Sequence, residues 1–439
     1  MRLKQTLLGI SVASALLAMS GNASASAFAL IEQSSGTGNA YAGGAAAAED
    51  ASTIFFNPAG MSRLNGNQVT VAGSFIQPSA KFRDTGSTGA ALQTAGGNGG
   101  DAGSLALVPN TYIVTEIQPV LRFGLGINAP FGLQTKYDPT WIGRFQAITS
   151  KIQTINLNPS LAYQMSDTVS LGIGLNYQHI SGELSSAVNY SAAAFSAGGG
   201  ALLTAVGGPG VEGITTMTGN DSAWGYNLGV LIDVMPNARI GLSYRSKLKY
   251  NLKGTVSFTS VPTALAASPT LQNGDVNLPI TMPDTFSISG FHQLNDKWDM
   301  MADATWTGWS KLQQLVVTRT NGAVVQNIPE NWKDTWRVAV GSTYHYNEQW
   351  LSRIGLAYDQ TPVPDAYRTA RIPDSNRTWV TFGGQYKVSV ASKVDFAYAH
   401  LFMKDAPIAN NQAATGAGIL VGSYSNSVDI LSVQYAYSF

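Results

Sequence analysis

Over much of this chain the side chains alternate, one large and apolar, the next small or polar, in segments joined by connections that are by turns short and long. From Val169, VSLGIGLNYQH sets Val169, Leu171, Ile173, Leu175 and Tyr177 against Ser170, Gly172, Gly174, Asn176 and Gln178. WGYNLGVLIDV from Trp224, KVDFAYAH from Lys393 and LSVQYAYSF from Leu431 repeat the pattern. A period of two marks a strand whose two faces meet different surroundings. Read this way, the chain predicts fourteen strands, at 68–82, 105–117, 120–130, 152–165, 169–182, 224–234, 238–254, 284–294, 297–310, 332–346, 350–360, 377–388, 393–404 and 427–439. The odd-numbered strands are followed by long connections. The even-numbered ones end in tight turns such as IQPV, QMSDTV, VMPNAR and LNDKW.

A soluble sandwich shares the period but has no reason to sort its loops by length. Short turns on one side and long loops on the other belong to an outer-membrane barrel, with the short turns periplasmic. Composition agrees. Only 12% of residues are charged, about half the usual share. Outside the first residues no apolar run is long enough for a membrane helix, and lipid tolerates no open sheet edge, so a membrane-embedded chain of this kind must close. The expected fold is an all-β, 14-stranded antiparallel transmembrane barrel in a Gram-negative outer membrane, with both termini periplasmic. Its surroundings would be outer-membrane lipid and lipopolysaccharide. Tyr435, Tyr437 and Phe439, at two-residue steps to the end, read as a signal for the barrel assembly machinery. Nothing points to a trimer, so a monomer is expected. Zero formal net charge argues against nucleic acid as a partner. The absence of cysteine rules out a disulfide framework.

The chain opens with Arg2 and Lys4, an apolar stretch from Thr6 to Met19, and the small-residue box Ala23-Ser24-Ala25. This reads as a secretory signal peptide cut after Ala25. Residues 1–25 are then a leader, 26–67 precede the barrel and 68–439 form it.

Residues 26–67 are rich in Ala and Gly and end in ASTIFFNPAGMSRL. So apolar a segment is a poor disordered tail. About fourteen strands leave a lumen too wide for wall side chains to fill. The segment therefore suits an N-terminal hatch inside the barrel, with Asn57 and Pro58 as a buried turn. A periplasmic extension is the alternative.

Several stretches together resemble the outer-membrane long-chain fatty-acid and aromatic-hydrocarbon transporters, the FadL family. They are SSGTGNAYAGGAAAAEDASTIFFNPAGM, GLSYRSKLKYNLKG, WTGWSKLQQL, WKDTWRVAVGSTYHYNEQW and DQTPVPDAYRTARIPDSNR, and the likeness covers essentially the whole mature chain. The resemblance implies a 14-stranded barrel, a hatch whose Asn-Pro-Ala motif is here Asn57, Pro58 and Ala59, and uptake of hydrophobic small molecules released sideways through a kink in the third strand.

In the third strand, LRFGLGINAPFGLQTKY, Pro130 cannot donate to a ladder, and Gly124, Gly126 and Gly132 weaken it. Either Asn128, Pro130 and Gly132 mark a lateral opening, or the strand ends at Asn128. By alternation, Arg239, Arg245, Lys247 and Lys249 share the lumen face of strand seven; Arg337, with Lys333 beyond it, lies on strand ten. Arg245, Lys247, Lys333 and Arg337 could meet a ligand carboxylate, or could pair with Asp303, Glu49 and Asp50. The stretch VVQNIPENW before Lys333 lacks a lysine that fatty-acid-specific members of that family carry nearby, which leaves open a fatty acid or an uncharged hydrocarbon.

The four histidines lie on different strands without metal-ligand spacing. No nucleophile elbow or Walker loop is present. No catalytic residues, metal or cofactor are expected, and the chain is not read as an enzyme. The function expected is passive uptake of hydrophobic molecules, most directly long-chain fatty acids, through a hatch-gated barrel with lateral exit. Aromatic hydrocarbons by the same route, or an adhesive or structural barrel, are the alternatives; an apolar hatch argues against a general porin.

Overall fold

Lipid offers no partners to backbone N–H and C=O groups, so a sheet within it must close on itself. The computed structural model describes residues 27–439; the leader, with Arg2, Lys4 and Ala25, lies outside the described residues. Among these, fourteen antiparallel staves form the wall. The first two are β1 (Gln68–Asp84) and β2 (Ala106–Gln118). The third is broken into β3 (Leu121–Asn128) and β4 (Gly132–Lys136). Next come β5 (Thr149–Gln164), β6 (Val169–Asn189) and β7 (Glu212–Met235). The seventh stave is β8 (Ala238–Arg245) with β9 (Leu248–Phe258), and the eighth is β10 (Gly274–Met282) with β11 (Thr285–Asn295). After β12 (Trp298–Thr307), a hairpin of β13 (Gln314–Arg319) and β14 (Val324–Pro329) stands on the long-loop side. The wall continues with β15 (Thr335–His345), β16 (Trp350–Asp359), β17 (Arg377–Lys387) and β18 (Ser392–Met403). A short β19 (Ala406–Asn411) leads to β20 (Ile419–Ser438). β20 closes the barrel on β1, from Gln68↔Ser438 to Asp84↔Gly422.

The alternation sorts as membrane chemistry requires. Leu171, Ile173 and Leu175 are exposed on the outside, while Ser170, Asn176 and Gln178 are buried toward the lumen. Trp224, 69% exposed, packs beside Tyr177 at 4.9 Å between ring centres, part of an aromatic girdle on the long-loop side.

Residues 27–67 fill the lumen as short turns, including helical turns at Gly44–Ala47 and Thr53–Phe56 and a 3₁₀ turn at Pro58–Arg63. The wall makes room with glycine. A Cβ at Gly172 would collide with the Ala59 amide, at Gly229 with the Asn57 side chain, and at Gly241 with the Ala45 carbonyl. The small residues of hatch and wall thus serve one close approach.

The seventh stave departs from its expected parity. β7 pairs with it at Asn227↔Arg245 and again at Asn220↔Lys253, so residues 221–226 face residues 246–252, six against seven. The extra residue, at the break between β8 and β9, reverses which side chains point in. Leu248, Tyr250 and Leu252 are buried in the interior cluster with Phe28, Trp309 and Trp332. Lys247 and Lys249 are exposed on the outer face, not on the lumen face with Arg239 and Arg245.

Candidate functional site: a cavity between hatch and wall

Asn57 is fully buried and ties the hatch together. Its Nδ2 donates to the carbonyls of Ala45 (2.7 Å) and Val230 (2.9 Å), the latter on β7. Its Oδ1 accepts from the Ala59 amide at 3.0 Å, capping the turn that Pro58 begins. Pro58 suits that position because its missing N–H would have had no partner. Elsewhere around the wall, Thr381 on β17 donates to Gly38 O at 3.0 Å, and Arg353 on β16 bridges Glu49 (2.7 Å) and Asp395 (2.6 Å).

The third stave is interrupted at Ala129–Phe131. β3 reaches Asn128↔Asn156 on β5, and β4 resumes at Gly132↔Gln153, so three residues stand against two. On its other edge, the last rung to β2 is Thr111↔Ile127. From Ala106 to Asn110, β2 pairs with β1 and, among the described residues, has no rung to the third stave.

The start of the hatch lies against this break. Leu30 N donates to Pro130 O (2.8 Å), Gly132 N to Phe28 O (2.9 Å) and Gln33 Nε2 to Ala129 O (2.9 Å). Phe28, 1% exposed, sits edge-on to Trp309 at 4.8 Å and near Trp332 at 5.5 Å. Burying a ring of this size contributes about 2 kcal/mol. Behind it the Ala27 amide donates to Asp374 at 3.1 Å. Asp374 also holds Arg377, in the strap of residues 360–376 and its junction with β17. That strap is tied to the wall through Tyr137 OH to Ala370 O (2.6 Å) and Arg371 to Ser150 (3.1 Å).

Between hatch, break and wall lies a partly open cavity. Leu30, Ile31, Phe55, Phe56, Phe131 and Trp309 give it an apolar side; Ser287, Thr305, Asp303, Arg245 and Arg337 give it a polar one. Pro130 lies on its lining, and Asn128 and Gly132 flank the break beside it. Arg245 bonds to Asn176 and to Phe55 O, with its guanidinium 4.5 Å from the Phe55 ring centre. Arg337 bonds to Ala40 O and stands 3.9 Å from Asp303. Both arginines therefore have protein partners and also face the cavity. Lys333 is exposed in the connection before β15, and Lys247 is on the outer face; neither lines the cavity.

Two acids, missed from sequence, sit nearby. Glu32 is fully buried, and its carboxyl pKa is pushed up to about 7 by burial, which Arg337 and Arg377 only partly offset. Glu330 accepts from the Trp332 indole at 2.9 Å, and burial raises it to about 8. Neither carries a sequence signal, because what shifts them is enclosure. The described residues contain no group of His, Asp and Glu able to hold a metal ion.

Comparison with known proteins agrees with this architecture. Residues 16–439 match the family model described as outer membrane protein transport protein (OMPP1/FadL/TodX). The chain is 30% identical over 388 residues to the long-chain fatty acid transport protein of Escherichia coli K12, covering 84% of this chain and 85% of that one. It is 31% identical over 415 residues to outer membrane protein P1 of Haemophilus influenzae, covering 89% of each. Among solved structures, a Pseudomonas aeruginosa FadL homologue superposes with a TM-score of 0.84 at 27% identity, over 94% of this chain and 99% of that one. The P. putida toluene transporter TodX shares the fold, with a TM-score of 0.66 at 20% identity, over 89% and 94%. The barrel, its lumen-filling segment and a match along nearly the whole chain lead to one conclusion: this outer-membrane protein belongs to the OMPP1/FadL/TodX family of transport proteins.

Proposed function

We propose that this protein takes up long-chain fatty acids passively and releases them sideways through the break in the third stave. The observation that carries the reading is the cavity itself, which runs from two arginines to Pro130 and Phe131 at the break. A fatty acid would set its carboxylate toward Arg245 and Arg337 and its chain along Leu30, Phe55 and Phe131. Transfer from water into hydrocarbon favours it overall by about 0.8 kcal/mol per CH₂, so no energy source is needed. The start of the hatch would act as the gate, because residues 28–33 occupy the edge that the third stave leaves unpaired.

An aromatic hydrocarbon could use the same route, since one side of the cavity is apolar, but it would not need the arginines. The two substrates separate in one experiment. A deletion strain carrying the wild-type protein or Arg245→Met is tested for uptake of radiolabelled oleate and toluene. Oleate uptake falls and toluene uptake holds if the carboxylate reading is right. A hydrogen bond to a charged group contributes about 1.5–3 kcal/mol, so oleate affinity should fall roughly ten- to hundredfold. Equal oleate uptake with and without the protein would overturn fatty-acid transport.

A further inference from the structure

The parity reversal in the seventh stave has an effect on the outside of the barrel. It sets Lys247, at the break, in line with Lys249 and Lys253 on the outer face of β9, all exposed. Alternate residues of a strand lie about 6.6–6.8 Å apart, so the row climbs roughly 20 Å from the girdle toward the long loops. Its foot is beside Tyr226 and Trp224, since Ser246 N donates to Tyr226 O at 2.9 Å.

The row forms no ion pair with its neighbours, although the Asp221 carboxylate of β7 accepts from the amide of Asn251, between Lys249 and Lys253, at 2.7 Å. The residues opposite Lys249 and Lys253 on β10 are Thr281 and Asn277, and Asn220 faces Lys253 on β7. The acid on that face of β10 is Asp275, one step beyond, opposite Thr255. No ion pair of the described residues involves any of the three lysines. By contrast, Lys151 on the outer face of β5 is directly opposite Glu183 of β6.

We propose that Lys247, Lys249 and Lys253 bind the phosphates of an outer-leaflet glycolipid of the lipopolysaccharide type. The occupant follows from position and charge. Beside the foot of the row stand Tyr226 and Trp224, and below it the outer face is Leu228 and Ile240, a surface for acyl chains; above it begin the long loops. Any anion held there must carry its charge at the girdle and its apolar part below it, as a phosphorylated glycolipid does. Lysines near a membrane surface are drawn to its anionic headgroups, and three in line select a headgroup with more than one phosphate.

The test uses full-length barrel in detergent micelles, titrated with bisphosphorylated lipid A and followed by native mass spectrometry. The triple variant Lys247→Gln, Lys249→Gln, Lys253→Gln should bind roughly tenfold or more weakly. The corresponding Lys→Arg triple should retain binding, and Lys297→Gln with Lys387→Gln, at the short-turn end, should leave it unchanged. Lipid A stripped of both phosphates should bind the wild type no better than the intact lipid binds the Gln triple. Heat-modifiable migration identifies folded barrels, and the Arg triple keeps the comparison valid if the Gln triple assembles poorly. Equal binding of wild type and folded Gln triple would overturn the proposal, as would equal binding of the dephosphorylated lipid.

Discussion

The amide of Leu30 donates to the carbonyl of Pro130 across 2.8 Å, so the start of the hatch is stitched to the break in the third stave. Neither partner could find this bond locally. Pro130 ends a ladder, and Leu30 lies in a segment with no regular structure of its own.

The stitch depends on Phe28, whose ring fills the space between Phe131, Trp309 and Trp332. Phe28→Ala should destabilise the docked segment by about 3–5 kcal/mol, the usual cost of emptying an aromatic site. Hydrogen exchange should then quicken at residues 28–33 and 129–132 while β5 to β7 stay protected. Unchanged protection at 28–33 would mean the backbone bonds alone hold the segment.

Replacing Asn57 by Ala removes two donated bonds and one accepted bond from a buried site. Each bond is worth about 1 kcal/mol, and the orphaned carbonyls of Ala45 and Val230 add to the loss. Expected are a loosened hatch, seen as protease cleavage within residues 44–66, altered uptake and normal heat-modifiable migration. Gly229→Ala should act in the same direction, because its Cβ needs the space of the Asn57 side chain. Normal uptake by both folded variants would remove the hatch from any gating role.

The break itself can be narrowed. A Trp at Gly132 or a Val at Pro130 should lower uptake of hydrophobic substrates in a deletion strain, with barrel assembly intact. Pro130→Val returns an amide donor to the stave, and Gly132→Trp puts bulk beside the Phe28 carbonyl that Gly132 N now meets at 2.9 Å. Full uptake by both would place the exit elsewhere.

Acid and base should act differently on the closed mouth. Glu32 holds its proton to about 7 and Glu330 to about 8, against 4.5 for an ordinary glutamate. Below 4.5 both carboxyls are protonated whether or not the mouth is packed. Between 4.5 and the raised values only the unpacked state loses the proton, so packing weakens as pH rises and the loss is complete above about 8. Exchange at residues 27–33, corrected for intrinsic rate, should be faster at high pH than at low. Glu32→Gln combined with Glu330→Gln should flatten the difference. A double variant with the same slope as the wild type would assign the dependence to other groups.

How much of this was readable beforehand follows from where lipid is. Leu171, Ile173 and Leu175 alternate because one side of the wall touches hydrocarbon, and there the expected strands match closely. Above the membrane that force is gone. β7 begins at Glu212, twelve residues before the expected 224, because EGITTMTGNDSA pairs with β6 without facing lipid. The same loss hid β13, β14 and the helical stretch Tyr190–Ala205, which is kinked at Gly198 and Gly199. The placing of Lys247 failed for a different reason. Alternation carries through Ser246 only in an unbroken stave, and here one extra residue reverses every side chain beyond it. Arg245, before the break, lines the cavity as its parity indicated. The pairing of residues 28–33 with 129–132 left no trace at all, since it joins two irregular stretches about a hundred residues apart.

The hatch is fastened all around the circumference: Asn57 to β7, the Ala45 amide to Ser289 of β11, Glu49 to Arg353 of β16, Gly38 to Thr381 of β17 and Thr37 to Ser432 of β20. A plug held at so many points cannot swing aside for one molecule without breaking most of its fastenings. Movement confined to the first few residues costs far less. If cargo leaves through the break in the third stave, such a barrel can pass greasy molecules without ever opening a water-filled path across the membrane.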